Sequence, residues 1–145
     1  IDQNGCIYKP HVLGVQVGQK IEILNSDGTL HNVHAMPKKK NNDAFNEAMP
    51  GARKKVTKQF DETEVMVKVK CDVHPWMGAF IGVLDHPFFS ITDEGGNFEI
   101  EDLPPGTYTV EAWHERLPAQ AVTVTVKADG DATADFVLKR PPKKK

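Results

Sequence analysis

The stretch CDVHPWM, residues 71–77, places Cys71, His74 and Met77 within seven positions. A thiolate, an imidazole and a thioether are soft or borderline donors, and a short turn can wrap all three around one point. A thiolate and two imidazoles in a plane with a weak axial thioether make a copper electron-transfer site. The missing imidazole must then come from a remote strand, and His31 in TLHNVHA is the best placed. With only two cysteines in 145 residues, other chemistries compete. Cys71 is also readable as half of a disulfide with Cys6, or as a plain buried thiol. Zinc is disfavoured because a methionine thioether is a soft ligand.

The elements that position these residues alternate with a period of two along nearly the whole chain, which predicts an all-β protein. HVLGVQVG and KIEILN read as strands around the turn at Gly18-Gln19. NSDG then turns the chain into TLHNVHA, where His31, Val33 and Ala35 share one face and Leu30, Asn32 and His34 the other. EVMVKVKC puts Val65, Val67, Val69 and Cys71 on one face, which drives the Cys71 side chain inward at the strand end. Residues 36–55, with two Met-Pro pairs and a lysine run, read as a long loop with a short helical turn. After Asp85 the spacing predicts a Gly-Gly hairpin, a Pro-Pro-Gly turn and further strands around an Asp-Gly turn, together a small sandwich. The end, KRPPKKK, reads as a basic disordered tail over 139–145.

Charge is unevenly spread around a net −2. Residues 86–138 hold ten acids against Arg116 and Lys127, a balance of −8, while 36–55 carries +4 and the tail +5. Such asymmetry marks either a solvated acidic face or docking surfaces for a larger assembly. It argues against nucleic acid, because the basic stretches lack interleaved aromatics and the acidic half would repel phosphate. No run approaches the ~20 apolar residues that span a bilayer. No Ser-His-Asp or Cys-His-Asn ordering stands out from chance, so neither an enzyme nor a small-molecule substrate is expected. A first residue that is Ile1 rather than Met is read as a removed signal peptide, and with the cysteine usage it predicts a periplasmic or otherwise exported protein.

YKPHVLGVQVGQKIEILNSDGTLHNVHA followed by VKCDVHPWMGAFIGV resembles the cupredoxins, most of all the amicyanin type, over roughly residues 6–84. The resemblance implies a Greek-key β-sandwich holding one type 1 (blue) copper through His31, Cys71, His74 and Met77. Asn32 and Pro75 would support those ligands, and Trp76 would lie on the electron-transfer surface beside His74. Cys6, where a leucine or methionine is more usual, is a possible extra thiol. TDEGGNFEIEDLPPGTYTVEAWHE resembles the carboxypeptidase regulatory-like, transthyretin-like sandwich, which carries no peptidase chemistry. The expected organisation is therefore a copper-binding domain over 1–85, a small β-sandwich over 86–138 and the tail. The expected function is electron transport to a redox protein such as a cytochrome, or docking on a larger membrane or envelope complex. A metal-free structural double sandwich with a Cys6–Cys71 disulfide, and copper storage or delivery, remain as alternatives.

Overall fold

A computed structural model describes residues 1–142, and the lysines that close the expected tail lie outside the described residues. The chain divides into two compact units, Ile1–Glu99 and Ile100–Lys145.

In the first unit nine strands follow one another: β1 (Asp2–Gln3), β2 (Tyr8–Lys9), β3 (Val12–Gln16), β4 (Ile21–Asn25), β5 (His31–Met36), β6 (Phe45–Met49), β7 (Lys55–Lys58), β8 (Glu64–Lys70) and β9 (Gly78–Leu84). One sheet has the order β2-β1-β4-β7 and the other β3-β9-β8-β5-β6. Pairing is antiparallel except for β1 with β4 and β3 with β9. The inward residues of both sheets form one core, including Ile21 and Ile23 from one sheet and Val33, Ala35, Val67, Val69, Ile81 and Val83 from the other. Each such fully buried branched side chain stabilises the fold by about 1.5–3 kcal/mol relative to exposure. The protein is all-β, with a cupredoxin-like sandwich and a separate small sheet.

Two local readings of the sequence need correction. Residues 36–55 are not one long loop, because β6 lies inside them and pairs with β5 from His31↔Met49 to Ala35↔Phe45. Its inward register includes Glu47, a residue that hides a strand from any hydrophobic pattern. Glu47 is accommodated because Lys58 and Arg53 both pair with it. The lysine run before β6 wraps the buried Glu64, whose carboxylate accepts the backbone N–H groups of Lys38 and Lys39 and the side-chain amide of Asn42. Val65 is also not inward. It is 48% exposed, because the pairing of β8 with β9 is irregular between Glu64 and Val67, and one extra residue reverses the side-chain alternation upstream.

In the second unit β10 (Gly106–Ala112) and β11 (Gln120–Val126) pair antiparallel over seven residues. Tyr108, Val110, Val122 and Val124 lie half-buried on one face. Among the described residues the paired strands of this separate small sheet are these two. The Gly-Gly turn forms as expected, with Asp93 and Asn97 closing it. Residues 134–138 keep the alternating burial of a strand, and the Gln120 side-chain amide donates to the Val137 carbonyl at 2.7 Å. Alternation marks which side of a segment is covered, and a strand also needs a partner ladder.

Candidate metal centre

Cys71 immediately follows β8 and Met77 immediately precedes β9, so the loop between them caps one end of the sandwich. Two backbone bonds close it: Met77 N–H to the His74 carbonyl at 2.9 Å and Cys71 N–H to the Met77 carbonyl at 3.3 Å. Cys71 and Met77 are buried. His74, at the crest, is half-buried, and Pro75 and Trp76 beside it are exposed. His31 opens β5 and is fully buried, in the inward position that strand parity predicts.

These elements bring His31, Cys71 and His74 together, with one donor atom of each lying within 4.8 Å of the others. His31 Nδ1 and His74 Nδ1 are 3.0 Å apart, and Cys71 Sγ is 3.8 Å from His74 Nδ1. Imidazole nitrogens bind a metal at about 2.0–2.1 Å, so two of them at that separation can meet on one ion. The His74 backbone N–H points at Cys71 Sγ at 3.4 Å, which orients the sulfur within the loop. The donor set of two imidazoles and one thiol, with a buried thioether in the same loop, fits a soft or borderline metal such as copper.

Around the cluster, polar groups are paired. Asn32 Oδ1 accepts the Asp72 N–H at 2.6 Å, while its Nδ2 donates to Asp72 Oδ2 at 2.9 Å and Asn46 Oδ1 at 2.7 Å. The side chain after His31 is thereby tied to the residue after Cys71, which fixes β5 to the 71–77 loop. Asp72 is pulled down to about 2 by the Lys70 ammonium first, and then by Asn32, Asn46 and His34. His34 faces away from His31 and pairs with Asp72 at 3.1 Å. The buried Tyr8 donates its hydroxyl to the Asn32 carbonyl, and its own ionisation is pushed up by burial and then by negative charge on Cys71 and Asp72.

Cys6 and Cys71 are both free thiols, so the disulfide expected as an alternative is not formed. Cys6 lies in the loop between β1 and β2, and its sulfur, an Asp27 oxygen and a His31 nitrogen form a second group within 4.8 Å. Asp27 Oδ2 is 2.8 Å from His31 Nε2. Backbone N–H groups of Cys6 and Gly5, and then His31, hold the Asp27 carboxyl at about 2. Asp27, Asp72 and Tyr8 were not singled out by sequence reasoning. Asp27 stands four residues before His31, yet in NSDG it carries only the signature of a turn. Trp76 is 66% exposed, its Nε1–H donates to the Cys6 carbonyl at 2.8 Å, and its ring centroid is 5.1 Å from that of His74.

Compared with known proteins, residues 43–139 match the family model described as carboxypeptidase regulatory-like domain. The match starts near β6 and runs through the ligand loop into the second unit, wider than the segment over which the sequence resemblance was read. Among solved structures, a methionine-to-alanine variant of amicyanin in the Cu(I) state matches at 23% identity and a TM-score of 0.50, covering 57% of this chain and 78% of that one. An oxidised proline-to-alanine variant of amicyanin matches at 24% identity with the same coverage and score. A purple cupredoxin from Nitrosopumilus maritimus matches at 24% identity, covering 55% of this chain and 83% of that one, with a TM-score of 0.45. At these identities the amicyanin likeness is one of fold. No curated protein matches the chain.

Proposed function

We propose that this chain, which belongs to the carboxypeptidase regulatory-like domain family, is a type 1 copper protein that passes single electrons. The observation that carries the reading is the convergence of His31 Nδ1, His74 Nδ1 and Cys71 Sγ at one end of a rigid sandwich. Copper, when bound there, would supply a one-electron couple. Cys71 would hold the ion through its sulfur, His31 and His74 through ring nitrogens and Met77 through its thioether. The strands and the Asn32–Asp72 bonds would hold these donors in place whatever the charge at the centre, which keeps the reorganisation on electron transfer small.

His74 and the exposed Trp76 would form the edge through which electrons enter and leave. Ile7, Leu30 and Val73 are exposed on the same ligand-bearing or neighbouring segments, which suits the small, brief contacts of redox encounters. A redox protein such as a cytochrome, or a larger membrane or envelope complex, is the proposed partner, and a periplasmic or exported location the proposed setting. The second unit would orient the carrier and perform no catalysis.

The test is a visible spectrum of the full chain after addition of Cu(II). An intense thiolate-to-copper band is expected. Cys71→Ser should abolish it, and Met77→Leu should retain it with a raised potential, because a donor to the oxidised state is lost. A colourless wild type with reduced thiols, or a coloured Cys71→Ser protein, overturns the reading.

A further inference from the structure

His31 commits only Nδ1 to the cluster with Cys71 and His74. Its Nε2 is 2.8 Å from Asp27 Oδ2, and Asp27 is itself held from several sides. The Gly5 N–H donates to Oδ1 at 2.9 Å and the Cys6 N–H to Oδ2 at 3.0 Å. The Asp27 N–H donates to Asn25 Oδ1 at 3.0 Å, and the Asn25 amide is anchored in turn on the carbonyls of Thr29 and Met49.

Gly5 and Cys6 both adopt positive φ, 70° and 54°. For a residue with a Cβ this is uncommon. Here it aims two successive N–H groups at one carboxylate, the geometry of a backbone anion cradle. The same short loop reaches the other histidine, because the Cys6 carbonyl accepts the Trp76 indole N–H and Trp76 packs beside His74.

We propose that Asp27 is a positioning residue of the metal centre: cradled by Gly5 and Cys6, it accepts the His31 Nε2–H and so presents the bare Nδ1 lone pair to the metal. This rests on the copper reading above. A histidine ligand is fixed in tautomer and ring orientation by what its other nitrogen donates to, and loss of such a partner costs about 10–100-fold in metal affinity. The alternative use of Cys6, Asp27 and His31 is to hold a second ion. That would require Nε2 to lose its proton while Nδ1 also ligates, at a carboxylate that already accepts two backbone N–H groups. The hydrogen bonding favours orientation.

The experiment uses the full chain with Cu(II) as the probe, comparing wild type, Asp27→Ala, Asp27→Asn and Cys6→Ser. Copper retention against a graded chelator is read together with metal content per chain, and circular dichroism checks the fold. Nitrogen-15 NMR of the metal-free proteins reads the His31 tautomer. One ion per chain and an Nε2–H tautomer are expected in wild type. Asp27→Ala should lose about 10–100-fold in affinity and the single tautomer. Asp27→Asn, which keeps one acceptor oxygen, should lose less, and Cys6→Ser should match wild type. Unchanged affinity and tautomer in Asp27→Ala overturn the proposal. So does a wild type with two ions per chain that falls to one in both Asp27→Ala and Cys6→Ser, since Asp27 would then ligate. A wild type that takes up no copper but keeps the Nε2–H tautomer, lost in Asp27→Ala, defeats the carrier reading while upholding the role of Asp27 in orienting His31.

Discussion

At the residue scale, Tyr8 shows how a buried polar group distant in sequence constrains the site. It is 3% exposed, and its hydroxyl serves the carbonyl of Asn32, the residue that follows His31. A carbonyl at that depth, stripped of its donor, bears the cost of desolvation, about 1–3 kcal/mol. Tyr8→Phe should therefore lower the unfolding free energy of the metal-free protein by that amount in urea melts. An unchanged midpoint would mean that the carbonyl has another donor. The convergence of His31, Cys71 and His74 was legible in the sequence, because strand parity and a short loop are both local properties. The parts of the site that were not legible are polar: Tyr8, Asp27 and Asp72 act through hydrogen bonds that span 24, 4 and 40 residues, and no periodicity encodes the partner of a hydrogen bond.

At the element scale, the two outer strands β6 and β7 are closed against each other by charge. Glu47 of β6 pairs with Lys58 of β7 and with Arg53 between the strands. Phe45 and Phe60 stack beneath with centroids 6.1 Å apart, and Lys58 Nζ lies 4.9 Å over the Phe45 ring. The hydrogen bond from Lys58 is the largest cause holding the Glu47 carboxyl below its usual 4.5. A carboxyl whose folded pKa lies below its unfolded value stabilises the fold fully above the unfolded pKa. That contribution is lost as pH falls through the folded one. Wild type should therefore lose stability below about pH 4.5, and Glu47→Gln should lose less over the same range while starting less stable at pH 7. Parallel pH profiles of the unfolding midpoint in the two proteins would rule this out. The same residue explains why β6 escaped a hydrophobic pattern, whereas β4, β5 and β9, whose inward positions are apolar except for Asn25 and His31 at strand ends, did not.

At the scale of the whole molecule, the family match and the compact units divide the chain differently. The match runs over 43–139, whereas the first unit is Ile1–Glu99. If the matched segment folds as one body, cutting after residue 99 would remove about two fifths of it and should unfold the rest. The packing argues otherwise. Every strand of the two core sheets ends by Leu84, the buried hydrophobic cluster is drawn wholly from residues up to Val83, and His31, Cys71, His74 and Met77 all lie within that span. β10 and β11 bond to each other over their whole length, and a two-stranded sheet by itself is marginal in water. A chain ending at Glu99 should therefore unfold cooperatively and bind Cu(II) with the spectrum of the full chain, while residues 100–145 alone should show little protection in hydrogen exchange. On the copper reading, added Cu(II) should raise the midpoint of the truncated and the full chain alike, because a ligand that favours the folded state stabilises it. A truncated chain that is unfolded, or that folds but has lost the copper spectrum, would show that the sandwich depends on residues 100–142, and the division drawn from packing would give way to that of the family.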